Sequence, residues 1–94
     1  MSKRSAYVDK MKLELDELNA QINKFEAKMQ EAKDDVRHKY QEEMRKLRHQ
    51  SKLATAKLAE LKAASEDTWD SMVTEMEKVR DAFTHSFHYF QSQL

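Results

Sequence analysis

The chain contains neither glycine nor proline in its 94 residues. Glycine supplies positive φ angles and proline a fixed φ angle, and tight hairpins, phosphate-binding loops and nucleophile elbows depend on them. A β-sandwich, a dinucleotide-binding α/β unit and a P-loop are therefore excluded. Only a helical chain or a disordered chain remains.

The charge balance and the spacing of the apolar residues favour a helical chain. Charged residues make up 36% of the chain and hydrophobic residues 39%, but 17 basic and 17 acidic side chains give a formal net charge of +0. Disordered segments typically combine few apolar residues with a high net charge. Helix-forming residues dominate instead, as they do in long helices and coiled coils. We expect one domain, with residues 1–5 as a frayed tail.

The absence of cysteine excludes disulfides, zinc–thiolate sites and thiol catalysis. The basic start of the chain is not followed by an apolar segment, so it does not resemble a secretory signal. No apolar stretch approaches the length needed to cross a bilayer. We therefore expect a cytoplasmic protein.

One line of mostly apolar residues, called the seam below, recurs at steps of three or four residues from Met11 to Leu94. The mean step of about 3.6 residues is the helical period and not the strand period. The seam comprises Met11, Leu15, Leu18, Ile22, Phe25, Met29, Ala32, Val36, Tyr40, Met44, Leu47, Ser51, Ala54, Leu58, Leu61, Ser65, Trp69, Met72, Met76, Val79, Phe83, Phe87, Phe90 and Leu94.

The steps along the seam predict how the helices pack. Alternating steps of four and three residues are typical of heptads, whereas consecutive steps of four, around Val36, Ser65 and Phe83, relax a left-handed supercoil. A lone amphipathic helix cannot bury its own apolar face, so we expect self-association or a partner helix. The predicted interface comprises Leu15, Leu18, Ile22, Phe25, Leu47, Leu58, Leu61, Trp69, Met72, Met76, Val79, Phe83, Phe87 and Phe90.

The predicted fold class is all-α: a long amphipathic helix forming a coiled coil. It is either one continuous rod, about 135 Å long at 1.5 Å per residue, or an antiparallel helical hairpin with a turn near residues 63–67. Ser65 could cap a new helix, with Glu66 and Asp67 in its positive first turn. Asp34 and Asp35 mark a second candidate break.

The charges are unevenly distributed along the chain. Residues 45–62 hold six basic side chains against one acidic, whereas residues 65–94 hold two basic against six acidic. An in-register parallel dimer would place like charges together in both segments, so the pattern favours an antiparallel arrangement. Exposed ion pairs contribute only a few tenths of a kcal/mol each, so the effect is a bias in orientation.

The sequence offers little for site chemistry. His85 and His88 lie three residues apart beside Asp81, but a zinc site needs a further protein ligand. Ser86 adjoins His85, yet neighbouring residues on a helix point apart and cannot act as nucleophile and base. Nucleic-acid-binding domains are usually basic overall, and this chain is neutral. We expect no enzymatic activity, no cofactor, no metal, no nucleic acid and no small-molecule substrate.

Five of the eight aromatic residues fall in the last 26 residues: Trp69, Phe83, Phe87, Tyr89 and Phe90. They predict either a well-packed end of a bundle or an adhesive patch that docks a partner or a bilayer surface. The acidic charge of the same segment argues against binding to anionic membranes.

Three segments are similar to a known family: residues 56–70 (AKLAELKAASEDTWD), 7–11 (YVDKM) and 38–41 (HKYQ). They resemble small bacterial coiled-coil stress-response proteins, and the resemblance covers residues 7–80. It implies a cytoplasmic bacterial helical protein linked to stress, without catalytic residues to carry over. Residues 83–90 (FTHSFHYF) depart from that pattern.

Three functions are compatible with these observations. The first is a non-enzymatic, self-associating coiled-coil protein that acts by protein–protein interaction or scaffolding, in bacterial stress response if the resemblance holds. The second is a reversible lipid-surface binder that resembles exchangeable apolipoprotein helices. The third is a metal-responsive assembly through His85 and His88.

Overall fold

The computed structural model describes residues 3–93 as three α-helices joined by two short turns. The helices are α1 (Lys3–Gln30), α2 (Asp34–Lys62) and α3 (Glu66–Gln93). Each is about 42 Å long at 1.5 Å per residue, and the principal extents of the molecule are 51 × 21 × 18 Å. The helices therefore lie side by side, with α2 antiparallel to α1 and α3.

The all-α prediction is confirmed, and the continuous rod is wrong. The predicted turn near residues 63–67 is present at residues 63–65, and a second turn at residues 31–33 directly precedes Asp34. This second turn adds a third helix, so the hairpin becomes a three-helix bundle. Helix α1 begins at Lys3 and so takes in three of the five residues expected to fray; residues 1, 2 and 94, including the seam residue Leu94, lie outside the described residues.

Both turns are made without a residue in the left-handed region. The last turns of α1 and α2 tighten, because the N–H groups of Ala32 and Ala64 donate to the carbonyls three residues earlier, each at 3.1 Å. Lys33 then takes an extended conformation, with φ −64° and ψ 153°, and α2 follows. No residue from 3 to 93 has positive φ, which explains how the chain reverses twice without glycine.

The core of the bundle is the predicted seam. Of the fourteen predicted interface residues, four are half-buried against the core, namely Leu18, Trp69, Met72 and Val79. The other ten are buried: Leu15, Ile22, Phe25, Leu47, Leu58, Leu61, Met76, Phe83, Phe87 and Phe90. Self-association stays a prediction, whereas these residues are already covered by helices of the same chain. The reason is the third helix, which a rod or a hairpin lacks.

Most of the C-terminal aromatic residues pack inside the bundle. The ring of Phe25 in α1 lies 5.6 Å from Phe87 and 5.7 Å from Phe90 between centroids. Tyr40 in α2 meets Phe90 edge-on at 5.8 Å. These contacts agree with a packed bundle end, and Tyr89 is the member of the group that stays exposed, at 56%.

Candidate interaction surface

A cluster of side chains fastens the start of α1 to the turn at residues 63–65. The Arg4 guanidinium lies 4.4 Å from the centre of the Trp69 ring and also donates to the carbonyl of Ala64. Tyr7 meets Trp69 edge-on at 5.9 Å. We call Arg4, Tyr7, Ala64 and Trp69 the clasp. Cation–π and charge-assisted contacts of this kind hold the start of α1 against the turn and the start of α3.

The Tyr7 hydroxyl of the clasp donates to Glu77 Oε1 at 3.3 Å. Partial burial, followed by the negative charge of Glu77 and this hydrogen bond, raises the pKa of Tyr7 to about 12. A neutral phenol is therefore part of the contact between α1 and α3, because a phenolate would lie beside a carboxylate.

Polar pairs also close the two faces of the bundle that involve α1. Between α1 and α2, Arg48 donates to Glu26 and, at 3.0 Å, to Asn23. Between α1 and α3, Arg80 Nη1 lies 3.0 Å from Glu14 Oε2. These pairs cross the grooves between α1 and its two neighbours.

The third face, between α2 and α3, has its polar contacts near its two ends. Lys57 Nζ lies 3.2 Å from Glu75 Oε2 near one end of this face, and Tyr40 donates to the carbonyl of Gln93 at the other end. Hydrogen bonds to Glu60 and Glu75 raise the pKa of the Lys57 ammonium. Between these two contacts, no hydrogen bond or ion pair links side chains of α2 and α3 in the described part of the chain.

Two exposed apolar side chains border the stretch between these two contacts. Tyr89, Lys46 and Ser86 line a depression of about 270 Å³, and Lys46 and Ser86 extend it towards Gln50. Leu53 is 45% exposed and lies one helical turn beyond Gln50 on the same side of α2. We call Lys46, Gln50, Leu53, Ser86 and Tyr89 the α2–α3 groove.

Charges of opposite sign remain available on the two helices that form the groove. On α2, Lys52 and Lys62 make no ion pair with any residue from 3 to 93, and the same holds for Glu66 and Asp67 on α3. The predicted antiparallel placement of the basic middle against the acidic segment is realised within one chain, but only Lys57–Glu75 joins the two directly.

The histidines do not converge on one point. His85 and His88 are exposed on α3, and the His88 ring meets Phe87 at 5.7 Å. Among residues 3–93, no group of three or more His, Cys, Asp or Glu side chains is placed to hold a metal ion. A metal-responsive assembly would therefore need ligands from a second molecule, and it stays a prediction.

The lipid-binding alternative would require the bundle to open, because its apolar surface is the buried seam. Nor is any of the helices among residues 3–93 both long enough and apolar enough to cross a membrane.

Sequence reasoning missed the clasp and the groove for different reasons. Arg4 and Trp69 are far apart in the chain, and only the third helix brings them together. Leu53 lies out of phase with the seam, and an apolar residue on the charged side of a helix is a signal that could have been used.

Comparisons with protein-family models, with curated proteins and with solved structures find no match. The family resemblance drawn from residues 7–80 therefore stays a prediction.

Proposed function

We propose that this protein is a non-enzymatic interaction module that associates with further copies of itself through the α2–α3 groove. The observation that carries the proposal is the exposure of Leu53 and Tyr89 along the stretch between the Lys57–Glu75 and Tyr40–Gln93 contacts. Apolar anchors surrounded by polar residues are the usual composition of a protein–protein contact.

Charge complementarity favours a second copy as the occupant. A two-fold axis parallel to the bundle would place α2 of one copy against α3 of the other, in antiparallel orientation. The basic middle of α2 would then face the acidic α3 of the partner, and the reverse contact would form by symmetry.

The resemblance to small bacterial coiled-coil stress-response proteins supports a role for this self-association in bacterial stress response. Within the proposal, the protein acts in the cytoplasm, and its assembly through the groove provides a scaffold under stress.

The test is the mass of the protein in solution across a range of concentrations. The double substitution Leu53→Asp with Tyr89→Asp places charge on both apolar anchors, and we expect it to raise the dissociation constant about 10-fold or more. The matched control is Leu13→Asp, which adds charge at an apolar residue of α1 that is 63% exposed and lies outside the groove.

Circular dichroism must show that both variants keep the helicity of the unmodified chain. A monomer at every concentration, or equal weakening by the groove variant and by Leu13→Asp, would overturn the proposal. Weakening by the groove variant alone would support it.

A further inference from the structure

The turn at residues 31–33 does not interrupt the helical phase of the sequence. Met29, Ala32 and Val36 follow one another at steps of three and four residues, the spacing found inside each helix. A continuous helix through this turn would therefore keep the seam of α1 and the seam of α2 on one face.

The hydrogen bonds of α1 run on into this turn, and the break lies at Lys33. The N–H groups of Glu31 and Ala32 still donate to carbonyls three residues earlier, whereas Lys33 is extended, with φ −64° and ψ 153°. Its side chain makes no capping hydrogen bond to α2. Straightening the turn thus requires Lys33 to leave its extended conformation, and it breaks no side-chain cap made by Lys33.

The first seam residue after this turn is poorly buried. Val36 is 41% exposed, whereas Met29, the seam residue before the turn, is 6% exposed. Val36 gains little from the closed bundle, and an arrangement that brings two copies of this region together would bury it. Ala32, which is small, permits close approach of two helices at the same point.

We infer that two copies of the chain exchange helix α1 by straightening the turn at residues 31–33. In the exchanged dimer, α1 and α2 form one helix over residues 3–62, about 90 Å long at 1.5 Å per residue. Helix α1 of each copy packs on α2 and α3 of the other, so every core contact of the closed bundle is kept. Val36 and Ala32 of the two copies meet at the centre.

The exchange occurs at this turn because the other one is fastened. The clasp joins Arg4 to the carbonyl of Ala64 and to the Trp69 ring, and the Ser65 hydroxyl lies 3.1 Å from that of Thr68. The exchange of α1 differs from the groove contact, which joins intact bundles. An experiment can therefore exclude either kind of dimer without excluding the other.

The absence of natural cysteines allows a direct test. Asn19 and Ser51 lie on α1 and α2, and their side-chain oxygens are 2.6 Å apart, so Asn19→Cys with Ser51→Cys places two thiols together. The protein is refolded from guanidinium at low and at high concentration, oxidised and analysed on a non-reducing gel. We expect the disulfide within one chain at low concentration and between two chains at high concentration.

The matched control pair is Lys57→Cys with Glu75→Cys on α2 and α3, two residues outside the groove whose Nζ and Oε2 atoms lie 3.2 Å apart. A short bismaleimide should join these two thiols within one chain at both concentrations, because α2 and α3 stay together in the exchanged dimer. A 19–51 disulfide confined to single chains at every concentration would overturn the exchange, and so would a 57–75 link between chains.

Small-angle scattering of the unmodified chain gives a second measure that needs no substitution. The exchanged dimer is longer than about 90 Å, whereas a side-by-side dimer keeps the 51 Å length of one bundle. A dimer of the shorter length would overturn the exchange and leave the groove contact standing.

The double substitution Ala32→Gly with Lys33→Gly should weaken the exchanged dimer roughly 100-fold, because glycine is unfavourable inside a helix and tolerated in a turn. Unchanged dimerisation in this variant would contradict the straightened turn. A loss of dimer caused by Leu53→Asp with Tyr89→Asp would indicate the groove contact instead.

Discussion

The two turns of the bundle are alike in length and backbone but differ in what surrounds them. Residues 63–65 are held by the clasp, in which Arg4 contacts the carbonyl of Ala64 and the Trp69 ring. Residues 31–33 lead into α2 without a side-chain cap, and Val36 beyond them is partly exposed. In a chain without glycine or proline, local sequence does not hold a turn in place, and contacts from another helix must do so.

The largest difference is expected from placing a charge beside each turn. Leu61→Asp buries a carboxylate in the core and should cost more than about 4 kcal/mol, which unfolds many small domains. Val36→Asp, at the other turn, should cost less than about 1 kcal/mol because solvent reaches that side chain. Urea unfolding followed by circular dichroism measures both, and equal losses would contradict the contrast between the turns.

The clasp itself should have an intermediate effect. Arg4→Ala removes a cation–π contact and a charge-assisted hydrogen bond, so we expect a loss of about 1–2 kcal/mol. Hydrogen exchange of the Ala63 and Ala64 amides should accelerate in this variant, while the amides of α1 beyond its first turns keep their protection.

The control for the clasp is Lys33→Ala in the other turn, which should change stability by less than about 0.5 kcal/mol. If Lys33→Ala matches Arg4→Ala in its effect, the two turns are equally dependent on their side chains and the comparison fails.

The smallest effect is a dependence on pH through Tyr7. Its pKa is raised to about 12 in the folded chain, so the neutral phenol is favoured by folding. The resulting stabilisation is complete below about pH 10, the ordinary tyrosine value, and is lost as the pH rises from 10 to 12. Because solvent screens a partly exposed group, we expect less than about 1 kcal/mol. Tyr7→Phe should reduce the change of the urea unfolding midpoint between pH 10 and pH 12. If the midpoint depends on pH as steeply in this variant as in the unmodified chain, Tyr7 is not the group responsible.

The helical class and the identity of the core could be predicted because both depend on periodicity. Ile22, Leu61 and Phe83 lie on the seam, and all three are 0% exposed. Whether these residues pack against helices of the same chain or of another chain could not be predicted, since a seam of period 3.6 packs equally well in both ways. Ten of the fourteen predicted interface residues are therefore core residues of a single bundle, and the other four are half-buried against that core.

The number of turns could not be predicted from the sequence for a related reason. Consecutive steps of four occur around Val36 and Ser65, where the chain turns, and also around Phe83, inside α3. Asp34 and Asp35 do favour a helix start, through the positive end of the helix dipole. A charge effect of this size does not decide whether a helix ends, because the packing of the third helix contributes much more.

An odd number of helices also fixes how the molecule carries force. The chain crosses the bundle three times, so Lys3 and Gln93 lie at opposite ends of a body 51 Å long. A pull between those two ends acts along the helices and loads their contacts in shear, all at once. In a two-helix hairpin the ends lie side by side, and the same pull would peel the contacts apart one after another. The extra turn at residues 31–33 therefore changes the response to stretching. The three-helix bundle resists extension along its axis, whereas a two-helix hairpin would separate step by step.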